Sequence, residues 1–353
     1  MLKYLAVSLL FVLLTGLFAG CTSNPANTLT DSSVEGTTDT DMNTEASTNT
    51  RPTYDTPQAA LEASPHLVGL TDQKNSRIIV CDLAVEDWSN DAAVVWEFKD
   101  DRARGGAGIK LRDSELFGGK VVLFCGPAGA GIISYETKEV LYFTPNAGIN
   151  PHSVELLADG TFLVASTTDN KVSVFAATTG RQNPIQTLTY ENVHGILWDP
   201  EYQVVWMAGR TKLSAFCVSG NGLNTRLIAD DSMVYTTDDW LHDLTPCYGN
   251  PDALFVTCET GIQMFDKKQE RFTTSYTGSV YASRLTGAPA MGHFADDVMV
   301  AINVVKGQTV YKDWCMNVVT VLVPVNEHTV RMITRTSPND AYYKVRVWNS
   351  DYQ

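Results

Sequence analysis

Three histidines recur at one place in a repeated pattern: His152, His194 and His242, successive members 42 and 48 residues apart. Each opens a β-rich run: His152-Ser153-Val154-Glu155-Leu156-Leu157, His194-Gly195-Ile196-Leu197-Trp198-Asp199, and His242-Asp243-Leu244-Thr245-Pro246-Cys247. Weaker copies of the unit carry Lys110 and Arg284 at comparable places, and a strand near the end of the chain carries Lys344 and Arg346. Three readings follow from these residue types. Three imidazoles with an open position suit a divalent metal, with His152, His194 and His242 as ligands. Lys ammonium groups and Arg forks make charge-assisted hydrogen bonds to a uronate, sulfate or phosphate, which would use all seven residues. Alternatively, a histidine opening an inner strand bonds a neighbouring strand's backbone and does nothing else, although the units without one leave that role incomplete. If the chain is an enzyme, a histidine base would abstract a proton from a uronate or assist acyl or sulfuryl transfer.

The elements that must position these residues are short strands. Each histidine unit holds three β-rich runs separated by Asp-Gly, Asp-Pro, Asn-Pro or Gly signals, and a fourth run follows at 185–190, 226–229 and 272–276. Four short strands every 40 to 50 residues is the pattern of a β-propeller blade. A copy before the three clear ones reads 109–112, 121–125, 131–135 and 139–143, and a copy after them reads 281–285, 298–304, 317–322 and 329–334. The first globular segment offers only 67–71, 77–82 and 93–98, so it lacks its innermost strand, and the spare run 342–348 is placed to supply it. Such closure removes an open sheet edge. The expectation is an all-β, six-bladed propeller whose C-terminal strand closes the first blade. First strands of blades line the central channel, where the histidines and cations above would converge.

Adjacent strand residues face opposite ways, so Asp243 and Glu155 are expected to turn away from His242 and His152, with Glu155 capping between blades. Phe175, Phe216, Phe265 and Tyr135 recur at one blade position and read as core between sheets, whereas Trp198, Trp206 and Trp240 lie nearer the channel ends. Gly126-Pro127-Ala128-Gly129-Ala130-Gly131 has no following helix, and reads as a hairpin turn and not a phosphate loop.

Several phrases resemble a bacterial family of secreted six-bladed propellers defined as a domain of unknown function. They are Thr71-Asp72-Gln73, Trp96, Asn150-Pro151-His152-Ser153-Val154-Glu155-Leu156-Leu157, Ala158-Asp159-Gly160, His194-Gly195 with Trp198-Asp199, His242-Asp243-Leu244, and Tyr343-Lys344 with Arg346. The resemblance covers residues 66–349 and implies the fold; it brings no activity with it.

Ahead of the repeats the chain changes character. Residues 1–20 combine Lys3, an apolar run and small residues directly before Cys21, which is the pattern of a lipoprotein signal peptide with lipid attachment at Cys21. Residues 21–64 are rich in Ser, Thr, Asn, Asp and Glu and read as a disordered tether, leaving 65–353 as the propeller domain. The expected setting is therefore extracytoplasmic, at the bacterial plasma membrane or at an outer membrane if there is one. The formal net charge is −14, to which residues 1–20 contribute only Lys3, and this argues against nucleic acid. Six cysteines beyond Cys21 show no CxxC spacing, and four of them sit inside apolar strands, so buried free thiols are expected. The sequence thus points to a monomeric, membrane-anchored binding protein for an anionic glycan or a partner protein. The alternatives are a polysaccharide-active enzyme, lyase-like or a transferase, built on the histidines, and a scaffold.

Overall fold

The structure, a computed structural model, describes residues 52–276, 285 and 290–352. Cys21, the signal-like segment, most of the expected tether and Arg284 lie outside the described residues.

The described residues form an all-β propeller arrangement with little helix. Its first sheet orders β22 (Tyr342–Val347), β1 (Leu67–Asp72), β2 (Arg77–Asp82) and β3 (Val94–Lys99). The second runs through β4 (Gly108–Ser114), β5 (Gly119–Gly126), β6 (Gly129–Ser134) and β7 (Val140–Thr144). The third holds β8 (Pro151–Leu156), β9 (Thr161–Ser166), β10 (Lys171–Ala176) and β11 (Gln186–Thr189). A six-stranded sheet follows, from β12 (Val193–Asp199), β13 (Val204–Ser219) and β14 (Arg226–Pro246) to β15 (Ala253–Cys258), β16 (Ile262–Asp266) and β17 (Arg271–Thr273). The last comprises β18 (Ala290–His293), β19 (Met299–Ile302), β20 (Val318–Asn326) and β21 (Thr329–Thr336).

Five sheets thus stand where the repeats predict six blades. The reason lies in β13 and β14. β13 continues through Gly209 and Arg210, the latter at a φ of 49°, and β14 runs unbroken for 21 residues. Their pairing extends from Ser219–Arg226 at one end to Arg210–Leu241 at the other, with two register shifts on the way, and so links the two repeat units into one sheet.

The late strand closes the first sheet as expected: β22 pairs antiparallel with β1, with Gly69 opposite Arg346. Gly69 has no substitute here, because a Cβ would lie 2.3 Å from the Trp348 ring. Closure is reinforced by Arg77, whose guanidinium meets Asp72 and Asp340 at 2.9 Å each and also pairs with Asp91 and Glu97. Among the described residues the last sheet begins with Ala290–His293, which the tight turn at Asp296 and Asp297 pairs with β19; of the expected strand 281–285, all but Leu285 lies outside the described residues. Ordered elements also begin before residue 65, inside the segment expected to be a tether. Thr56 caps a helix, α1 (Pro57–Glu62), whose Ala60 and Leu61 are buried in the core of the closing sheets, and Tyr54 donates to the Val325 carbonyl at 2.8 Å. Burying a leucine is worth roughly 1.5–3 kcal/mol, enough to hold so short a helix.

Between sheets, Phe175 and Phe265 are fully buried and Phe216 nearly so, while Tyr135 is half-buried against Trp96 and Trp348. The Gly-rich 126–131 segment is the β5–β6 hairpin, with Pro127 and Ala128 at its turn.

Candidate functional site

The innermost strands β4, β8, β12, β14, β18 and β22 surround the axis. Each of the three histidines falls at an irregularity in strand pairing: between Pro151 and Ser153, between Val193 and Gly195, and between Leu241 and Asp243. A bulge re-aims the extra residue, and here it turns the imidazole toward the axis. Gly195 lets the strands come together, since a Cβ there would lie 2.6 Å from that of Leu244. As a result the His194 and His242 rings stack with centroids 4.5 Å apart, and His152 meets His194 edge-on at 4.8 Å. Tyr343 packs edge-on to His152 at 5.9 Å.

The His152 and His194 rings are neutral near pH 7. Burial, then the Lys344 charge, lowers His152 to about 4. Burial also pushes His194 down, with His242 and His152 adding to the effect. The Nδ1 of His194 is buried without a hydrogen-bond partner among the described residues. The Nδ1 of His152 lies 2.9 Å from the Asn150 carbonyl oxygen. Among the described residues no group of three or more His, Cys, Asp or Glu side chains is arranged to hold a metal ion. The imidazoles of His152, His194 and His242 pack ring against ring.

The cations take a different place from the one expected. Lys110 is buried, its ammonium donating to Glu155 at 2.8 Å and to the Ile196 carbonyl at 2.5 Å. Arg112, on the same face of β4, grips Glu155 with two bonds of 2.8 and 2.9 Å. Glu155 also accepts from the Trp198 backbone N–H of the next sheet, so it does cap between sheets. Burial alone would raise the Glu155 carboxyl, but Arg112 and Lys110 hold it at about 2. On the other side Arg346 clasps Asp243 at 2.6 and 2.7 Å, with Lys344 at 3.2 Å. Asp243 therefore faces the axis, against expectation, because the bulge at His242 breaks the alternation. Lys110, Lys344 and Arg346 are the inside of an ion-paired plug, not the walls of an open channel. Burial lowers both lysines to about 8, with Glu155 and Asp243 opposing the shift. At the far end Tyr248 and Tyr352 seal the plug: Tyr352 stacks on Arg112 at 4.5 Å, and the space left is about 10 Å³.

At the histidine end the axis opens into a cavity of about 380 Å³. His152, His242 and Tyr343 lie along it, and Lys312, Trp314 and Gln73 complete its wall. Lys312 sits between two aromatic faces, 5.4 Å from the Tyr311 ring and 5.3 Å from that of Trp314. Gln73 holds this wall in place. Its amide nitrogen donates to the Gly105 and Gly106 carbonyls, and its oxygen accepts from the Trp314 indole N–H at 3.1 Å. Sequence reasoning missed Lys312, Trp314 and Gln73, because the first two lie on the non-repeating connection between β19 and β20. The one available signal was the aromatic-flanked lysine Tyr311-Lys312-Asp313-Trp314. Of the tryptophans assigned to the channel ends, Trp198 and Trp206 are buried and Trp240 is exposed.

A family model described as a family of unknown function (DUF6528) matches residues 88–283, more than half of the chain. The chain belongs to this family. Among solved structures, a functionally unknown protein from Desulfotomaculum acetoxidans DSM 771 is similar at a TM-score of 0.52 and 11% identity, covering 86% of this chain and 90% of that one. A dihydro-heme d1 dehydrogenase, NirN, in complex with DHE is similar at a TM-score of 0.44 and 14% identity over 82% of this chain. The present chain spans 56% of that dehydrogenase's length. No curated protein matches.

One other constellation has chemical residue types. His293 lies 3.1 Å from Asp297 and 3.7 Å from the Cys247 sulfur. Burial pushes the Cys247 thiol up to about 12, so it is not the thiolate that nucleophilic chemistry requires.

Proposed function

We propose that the chain is a binding protein that takes a small anionic ligand into the cavity at the histidine end of its axis. The observation that supports this most directly is the contrast between its lysines. Lys110 and Lys344 are matched by buried carboxylates, whereas Lys312 lines the cavity against two aromatic rings with no carboxylate partner among the described residues. Among the described residues that line the cavity it is the one lysine or arginine, and no aspartate or glutamate accompanies it. The volume falls within the range of about 300–1,000 Å³ seen for ligand sites. A ligand carboxylate or other oxyanion would gain a charge-assisted hydrogen bond from Lys312. The enzyme reading is weaker, because a general base works best with a pKa near the working pH, and His152 titrates at about 4.

The test is a thermal-shift series on the full-length chain with galacturonate, sulfate and phosphate. At least one anion should raise Tm, and Lys312→Met should weaken its binding by about tenfold, or 1.4 kcal/mol. No shift with any of the three would overturn the proposal.

The same reading places the propeller outside the cytoplasm, tethered through a lipidated Cys21 by about 40 residues with a reach of roughly 35 Å. Incorporation of labelled palmitate, abolished in Cys21→Ser, would support it, and no incorporation would exclude it. Among the described residues no helix is long and apolar enough to cross a membrane. We also read the six-stranded sheet as two fused blades, in keeping with six sequence units.

A further inference from the structure

Several hydrogen-bonding roles around the cavity are fixed by their partners, and they favour one kind of anion. The Asn150 carbonyl only accepts, so the His152 Nδ1 at 2.9 Å must carry the ring proton. The neutral ring then presents Nε2 as a lone pair. Nε2 makes no hydrogen bond among the described residues and is not sealed from the cavity that His152 lines. The Trp314 indole N–H and both ends of the Gln73 amide are already engaged. Among these groups the cavity offers a cation at Lys312, an aromatic face at Trp314, and an acceptor at His152.

We propose that the cavity selects a carboxylate that also bears hydroxyl groups, a sugar acid, over oxyanions that have no hydrogen to donate. The carboxylate takes the Lys312 ammonium, the apolar face of the sugar ring lies on Trp314, and a hydroxyl donates to His152 Nε2. Sulfate would satisfy Lys312 but set oxygen lone pairs against that of Nε2, and a buried acceptor left unpaired is costly. Acetate would leave Nε2 and the indole face unmatched, and glucose would leave Lys312 unmatched. This selection rests on the anion-site reading above.

Titration calorimetry of the full-length chain with galacturonate, acetate, sulfate and glucose separates the cases. Galacturonate should bind at least about tenfold more tightly than each of the other three. Sulfate equal to galacturonate would overturn the role of the His152 acceptor while leaving the anion site standing. Glucose equal to galacturonate would remove Lys312 from recognition and overturn both readings, as would a failure of all four to bind. His152→Gln supplies an amide donor at the same place. With native melting behaviour it should narrow the preference over sulfate, and an unchanged preference would count against the proposal. Should that variant not fold, the four-ligand series on the unmodified chain decides the matter alone.

Discussion

Lowering the pH from about 7 to about 4.5 is expected to cost stability through the axial imidazoles, and His152 allows the size to be worked out. Its folded pKa is about 4, depressed first by burial and then by Lys344, against about 6.5 in an unfolded chain. A depressed histidine pKa means that the unfolded chain takes up the proton first, so stability is lost as pH falls from 6.5 toward 4. At 1.36 kcal/mol per unit, the loss at pH ~4.5 comes to about 2.5 kcal/mol from His152 alone. His194, also shifted downward, adds a loss of the same sign. His66 runs the other way, since Asp296 at 2.9 Å leaves its pKa raised and its contribution intact on acidification. Glu155, held at about 2, begins to lose its share only below an unfolded value of about 4.3. Urea unfolding of the full-length chain and of His152→Gln, each at both pH values, isolates the effect. The variant should lose about 2.5 kcal/mol less than the parent over this interval. Parallel losses in the two proteins would refute a buried, neutral His152.

Three further outcomes follow from the packing. Glu155→Gln leaves Lys110 and Arg112 buried without a counter-ion and should destabilise the fold by about 3–5 kcal/mol, read from urea midpoints. Gly195→Ala places a Cβ 2.6 Å from that of Leu244. It should cost about 1–3 kcal/mol by overpacking, measured by thermal unfolding, with the pH dependence assigned to His194 reduced as the rings separate. Cys217, expected to be a free thiol, is disulfide-bonded, whereas Cys81, Cys125, Cys247, Cys258 and Cys315 are free and buried, and burial raises every one of these five thiols. Peptide mapping after maleimide treatment should find them modified only when urea is present.

Much of this architecture was legible because a propeller repeats. A unit that returns every 40 to 50 residues shows its strand order several times over, and the spare strand at 342–348 by itself signals closure. The convergence of His152, His194 and His242 followed from the same register. Strand counting could not say where pairing slips. Bulges at the three histidines turn Asp243 to the axis beside the imidazole it was expected to oppose, and the continuity of β13 and β14 joins two units into one sheet.

Sequence by itself determined the all-β class, the repeat, the closing strand and the gathering of imidazoles, because these depend on local period and spacing. Tertiary structure alone decided which charges are spent. Lys110, Arg112, Lys344 and Arg346 meet Glu155 and Asp243 across distant strands, and a buried charge must find its partner wherever the fold brings one. Lys312, on a connection that belongs to no repeat, is left facing the cavity, and only the closed ring of sheets puts it there.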